Sequence, residues 1–180
     1  MVIRPGEFLF MRHGETEANA GDVICGSTDL PLTPRGYKQA RRAARALTGS
    51  GIAGIITSPL MRAGQTAKAV SNLTGLPVIV AEGLAERHWG TWEGQPRAIL
   101  CRDRTPLNGE SPAAFRDRIR SAFAAIDLSL PVLIVAHSGT DREIHAMLTT
   151  TAHQRMTNCE VRRWSPFPQW NCHQFYKFPA

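Results

Sequence analysis

Three stretches of this chain place imidazole or guanidinium groups just after short apolar runs. Arg12-His13-Gly14-Glu15-Thr16 follows the run Glu7 to Met11, Arg62 follows Gly51 to Thr57, and His137 follows Pro131 to Ala136. If those runs are parallel strands, all three groups arrive at the carboxyl edge of one sheet, where open α/β folds place their ligands. Cationic groups gathered at one point repel each other unless an anion binds them. The chemistry this pattern predicts is anion binding.

The elements that must position these residues read as βα units. Strands are expected over Glu7 to Met11, Gly51 to Thr57, Pro77 to Ala81 and Pro131 to Ala136. Thr33-Pro34, Ser58-Pro59 and Ser111-Pro112 each combine a capping hydroxyl with a proline at the first helical position, and predict helices running to about Leu47, Leu73 and Ile126. On this reading Arg62 lies one turn into the second of them. A fourth helix is expected after Gly139. Cys159 to Trp164 and Cys172 to Phe178 alternate as two strands paired at the sheet edge, around a Pro-rich turn. Helices between parallel strands predict a three-layer α/β/α sandwich, and no linker divides the 1–180 domain. The loops Gly14 to Leu32 and Ala81 to Glu110 are long, which marks them as functional candidates.

Composition narrows the setting. The 180 residues are 43% hydrophobic and 20% charged, as in a soluble domain. The net charge of +6 comes mainly from scattered arginines, and the one cluster, Arg41, Arg42 and Arg45, falls on a helix face expected to be solvated, so nucleic acid is not expected as a partner. Cys25, Cys101, Cys159 and Cys172 form neither metal-binding pairs nor a disulfide framework, and reduced thiols in the cytoplasm fit them. No run approaches the roughly twenty apolar residues needed to span a bilayer, and Phe8 to Met11 is too short for a signal-peptide core. Neither membrane nor metal is expected, and a homodimer stays open.

With Asn19, Cys25-Gly26, Asp29-Leu30-Pro31-Leu32-Thr33, Gly36 and Gln39-Ala40, the His13 segment resembles the first signature block of the histidine phosphatase superfamily, branch 1. Thr57-Ser58-Pro59-Leu60 with Arg62, Ala63, Gln65, Thr66 and Ala67 resembles its second block. Leu84, Glu86, Gly90 and Glu93-Gly94 resemble the acid-bearing block, Gly109-Glu110-Ser111 with Phe115 and Arg118 the segment after it, and Val135-Ala136-His137-Ser138-Gly139 the last. The blocks fall in family order. The resemblance implies a phosphoglycerate-mutase-like fold, mainly parallel with one antiparallel strand. It also implies that His13 carries the phosphoryl group, that Arg12, Arg62 and His137 hold its oxygens, and that Glu86 handles the proton. Asn19, Gly26 and Ser138 are implied substrate contacts. The other branch carries an acid directly after the second histidine, whereas Ser138 stands here, which supports Glu86 in that role.

Within the family the interval from Glu86 to His137 leaves little room for the lid of the glycolytic mutases, so water should reach a phosphohistidine. A metal-independent phosphomonoesterase acting on a small phosphorylated metabolite, without cofactor, is therefore the first expectation. A cofactor-dependent phosphoglycerate mutase is the alternative. A non-catalytic phosphate- or phosphoprotein-binding regulatory module is the alternative of another class, although such a module should have lost His13 or Glu86. His88, His145, His153 and His173 are expected to be structural or surface residues. Trp89 and Trp92 are expected at the pocket rim, and Trp164, Trp170 and Phe175 are candidates, with the Glu93 to Glu110 loop, for shaping specificity.

Overall fold

The computed structural model describes residues 2–179; Met1 and Ala180, which the 1–180 domain expectation includes, lie outside the described residues. The chain runs β1 (Phe8–Arg12), α1 (Glu17–Ala20), α2 (Pro34–Ala46), β2 (Gly54–Thr57), α3 (Met61–Thr74), β3 (Val78–Val80), α4 (Pro112–Ala124), β4 (Val132–Ala136), α5 (Ser138–Leu148), β5 (Val161–Ser165) and β6 (Asn171–Tyr176). The six strands form one sheet in the order β3-β2-β4-β1-β5-β6. β1, β2, β3 and β4 are mutually parallel, and β5 runs antiparallel to both of its neighbours. The mainly parallel sheet with one reversed strand is as expected.

β1 and β4 are buried along their whole length, and their side chains divide between two faces with the period of two that a strand imposes. Leu9, Met11, Leu133 and Val135 pack with Ala40, Ala44, Ala63 and Val70 of α2 and α3. Phe8, Phe10 and Ile134 pack on the other face with Phe115 and Ile119 of α4 and Ile144 of α5. These are the two helical layers around a buried parallel sheet.

Two of the three expected helix starts form as read. Thr33 Oγ1 accepts the Gly36 N–H at 3.0 Å and Ser111 Oγ accepts the Ala114 N–H at 3.1 Å, with proline at the first helical position each time. Ser58-Pro59 does not. α3 begins later, with Leu60 at the cap position and no side-chain bond from it. Asp29, distant in sequence, accepts the Met61 N–H at 2.7 Å instead. Arg62 is therefore the second residue of α3 rather than one turn inside it, and Ser58 Oγ, which accepts the Leu60 N–H at 3.3 Å just before the helix, also reaches a second partner.

Candidate active site

Parallel pairing puts Arg12 beside Ala136, and the His13 N–H continues the ladder to the Ala136 carbonyl at 3.0 Å, so His13 and His137 leave adjacent strands together. His13 Nδ1 lies 2.7 Å from its neighbour's carbonyl, Gly14 O. A carbonyl only accepts, so Nδ1 carries the proton and Nε2 keeps its lone pair. Asn158 fixes this turn from a distance: its Nδ2 donates to His13 O at 3.0 Å and to Asn19 Oδ1 at 2.9 Å. With Thr16 N–H also donating to Asn19 Oδ1, the Asn19 amide nitrogen is the end left over. Sequence reading missed Asn158, whose surroundings carry no motif.

Arg12 and Arg62 are 5% and 1% exposed. Arg12 Nη1 donates to Met156 O at 2.7 Å. Arg62 Nη1 and Nη2 donate to Thr28 O at 2.9 Å and Gly26 O at 2.7 Å, so the Gly26 loop orients this guanidinium. That loop is itself tied down by Glu93, whose carboxylate accepts N–H and O–H bonds from Ser27 and Thr28 and the Trp89 N–H. Gly26 has a φ of +58° and a β-carbon on it would collide with the Glu93 carboxylate, so the close approach requires glycine. Ser58 Oγ lies 2.7 Å from His137 Nε2.

Glu86 reaches the site across the start of α5. Its Oε2 accepts the Gly139 N–H and its Oε1 the Arg87 N–H, both at 2.8 Å. A β-carbon at position 139 would strike Oε1, which explains why glycine follows Ser138. Arg87 is buried, and its side chain donates to the carbonyls of Glu110, Arg102 and Arg104 while lying over the Trp89 ring. It braces the Ala81 to Glu110 loop.

The electrostatics favour neutral imidazoles and charged guanidiniums. Burial, then Arg62 and Arg12, hold His13 well below the ordinary histidine range, and burial, Arg62, His13 and Arg12 do the same to His137. Burial, with Arg155 and Arg97 next, pushes Arg12 down to about 9, still charged at neutral pH. Burial raises the Cys25 thiol, which leaves it protonated and unreactive in the pocket wall. Among the described residues, seven buried side-chain polar atoms lack a partner. Three of them, Arg12 Nε, Arg62 Nε and His137 Nδ1, belong to the residues flanking His13.

Of the residues read from sequence, Arg12, His13, Asn19, Gly26, Arg62, Glu86 and Ser138 line one cleft of about 580 Å³, counting its open mouth. His137 stands behind them, fully buried, its ring centre 5.1 Å from that of His13. Trp89 lines the cleft with Trp92 stacked on it. Trp164, Trp170 and Phe175 do not reach it: Trp164 is fully buried against Phe8 and His145, Trp170 packs on Phe8, and Phe175 packs on the opposite face. The cleft also gathers arginines that sequence reading did not place there, Arg97, Arg102, Arg142 and Arg155. Among the described residues no group of three or more histidine, cysteine or acidic side chains is placed to hold a metal, and no helix is long and apolar enough to cross a membrane.

A histidine with one free ring nitrogen, set between buried guanidiniums at the carboxyl edge of a parallel sheet, defines an α/β protein with an oxyanion-handling histidine pocket. The chain belongs to the histidine phosphatase superfamily (branch 1), which it matches over residues 8–166. It is 35% identical to "Uncharacterized phosphatase PhoE" of Bacillus subtilis over 145 residues, 77% of this chain and 74% of that one. It is also 35% identical to "Probable phosphoglycerate mutase GpmB" of Yersinia enterocolitica, over 87% of this chain and 83% of that one. Among solved structures, a mycobacterial glucosyl-3-phosphoglycerate phosphatase complexed with vanadate superposes with a TM-score of 0.79 at 28% identity, covering 93% of this chain and 97% of that one.

Proposed function

We propose that this protein is a metal-independent phosphomonoesterase of the cytoplasm that hydrolyses a small phosphorylated metabolite through a phosphohistidine at His13. The observation that carries the proposal is the concentration of unpartnered buried donors around the free Nε2 of His13. Buried polar atoms in a folded protein are almost always paired, and a phosphoryl group supplies the acceptors these lack. The phosphatase relatives and the vanadate complex of the mycobacterial enzyme support the same reading.

The steps follow from the atoms. His13 Nε2 attacks phosphorus in line with the ester oxygen; the P–N bond forms as the P–O bond breaks. Arg12 and Arg62 meet the charge on the equatorial oxygens. Ser58, donating to His137 Nε2, leaves His137 Nδ1 as a further donor, and the Asn19 amide is another. Glu86 gives its proton to the departing alkoxide. The resulting carboxylate then takes a proton from water, whose oxygen attacks phosphorus and frees His13 and inorganic phosphate. The free thiols of all four cysteines fit a reducing compartment.

The test is phosphate release from a panel of sugar phosphates, phosphoglycerates, nucleotides and phosphoserine, with a chelator present. Release at the same rate with and without chelator is expected. Release that needs an added divalent ion overturns the mechanism. Conversion of 3-phosphoglycerate to its 2-isomer in place of phosphate release makes the protein a mutase instead, the reading suggested by its likeness to GpmB.

A further inference from the structure

Four side chains that the proposed hydrolysis does not use form one connected polar network beside α5. Asp141, in the first turn of that helix, Glu160 and Arg162 are buried, and His153 is partly buried. Asp141 Oδ2 lies 2.7 Å from His153 Nε2 and accepts from Arg162 Nη1 at 3.5 Å. An ionised carboxylate only accepts, so His153 Nε2 carries a proton whether the ring is neutral or charged. Arg162 Nε donates to Glu160 Oε1 at 2.9 Å. Glu160 Oε2 accepts the N–H of Thr157 at 2.8 Å and its hydroxyl at 3.1 Å.

This network fastens one segment at two points. Residues 149–160 join α5 to β5 without helix or strand, and depend on side chains to hold their place. His153 ties the segment to α5, and Thr157 ties it to β5 through Glu160 and Arg162. Met156, between the two ties, supplies the carbonyl that accepts from Arg12 Nη1 at 2.7 Å. Among the described residues it is the one acceptor the Arg12 side chain has, and Arg12 Nε is left without a partner. The α5 end is fixed relative to the site as well, because the Asp141 N–H donates to His137 O at 2.9 Å. Buried ion pairs add little net stability, since desolvation offsets their attraction. What this one supplies is a set distance between the His137 turn and the carbonyl that aims Arg12.

Resting on the phosphatase reading, we propose that Asp141 and His153 are positioning residues for Arg12: their bond seats the 149–160 segment so that Met156 O turns the Arg12 guanidinium towards the phosphoryl oxygens. Neither residue lines the cleft, so both act through Arg12 alone.

Binding of inorganic phosphate, read by calorimetry, tests this without requiring turnover. His153→Phe keeps a ring against His145, which it meets edge-on at 5.2 Å, and removes the donor to Asp141. The dissociation constant for phosphate should rise by roughly tenfold as Arg12 loses its alignment. His153→Gln, whose amide can still donate to Asp141, should stay within about threefold of wild type. Thermal unfolding checks that each variant is folded, and the isosteric Asp141→Asn should weaken phosphate binding in the same direction if His153→Phe does not fold. A double-mutant cycle separates positioning from general loosening. Arg12→Lys keeps a charge for phosphate but lacks the planar fork that Met156 O aims, so adding His153→Phe to it should change the affinity by less than about twofold. Wild-type affinity in folded His153→Phe, a full loss repeated in the Arg12→Lys background, or His153→Gln as weak as His153→Phe overturns the proposal. Hydrolysis of p-nitrophenyl phosphate by the wild-type protein reports separately on the phosphatase reading. Phosphate binding that depends on His153 without hydrolysis sinks that reading alone, hydrolysis with binding blind to His153 sinks the positioning pair alone, and a wild-type protein that binds no phosphate sinks both.

Discussion

The imidazoles of His13 and His137 stand 5.1 Å apart between ring centres, with planes inclined at 57°, because Arg12 and Ala136 are partners in the central parallel pair and each histidine is the next residue of its chain. Both rings are buried and both are held well below the ordinary histidine range, first by burial and then by Arg62. Below pH 6.5 the unfolded chain therefore binds protons that the folded chain refuses, and stability falls as pH drops from about 6.5. One unit lower the loss reaches up to about 1.4 kcal/mol for each ring. Urea unfolding at pH 7.5 and 5.5 in phosphate-free buffer should show this fall, and His13→Gln and His137→Gln should each make it smaller. An equal fall in both variants would contradict the neutral pair.

Glu86 is held by the N–H groups of Gly139 and Arg87. Glu86→Gln keeps the shape and removes the transferable proton, so alkyl phosphates should slow by roughly a hundredfold to ten-thousandfold. A nitrophenyl ester needs little protonation of its leaving group, and its phosphorylation step should suffer far less. Equal losses in kcat/KM for alkyl and aryl esters would show that Glu86 is not the acid.

Glu93 reaches no reacting atom, yet it fixes the Gly26 loop whose carbonyls orient Arg62. Glu93→Ala should raise the inhibition constant for inorganic phosphate by roughly tenfold as Arg62 loses its alignment. Glu93→Gln, which keeps one acceptor oxygen, should recover part of the affinity. Tight phosphate binding by a folded Glu93→Ala protein would show that the loop holds Arg62 unaided.

Trp164 stacks on Phe8 at 5.9 Å between ring centres and is fully buried, away from the cleft. Trp164→Ala should cost about 3–5 kcal/mol of stability by leaving a cavity. Its kcat per folded molecule should stay within about twofold of wild type. A shift in preference between phosphate esters, measured on folded protein at low temperature, would return this aromatic to the specificity wall.

The sheet and the floor of the site were legible because they depend on local pattern. Apolar runs such as Phe8 to Met11 and Val132 to Ala136 announce buried parallel strands, and topology then brings His13 and His137 together. What escaped sequence reading depends on distant partners. Ser58-Pro59 carries a capping signal that the fold spends on His137 while Asp29 serves α3, and neither exchange leaves a trace in spacing. Asn158 and Arg87 act through backbone carbonyls of other segments, which any sequence offers everywhere. Arg97, Arg102, Arg142 and Arg155 come from three segments of the chain, so their meeting in the cleft appears only in three dimensions.

The central claim is the covalent intermediate on His13, and the most direct measurement is rapid quench with a phosphorus-labelled nitrophenyl ester. Glu86→Gln suits it, since an aryl ester still phosphorylates the protein while water lacks its base. Label should appear on the protein, survive alkali, be lost in acid and map to His13; His13→Ala should take up none and turn over no substrate. Phosphate release by the wild-type protein without label on His13 in either the wild type or Glu86→Gln, or turnover retained in His13→Ala, would contradict the account.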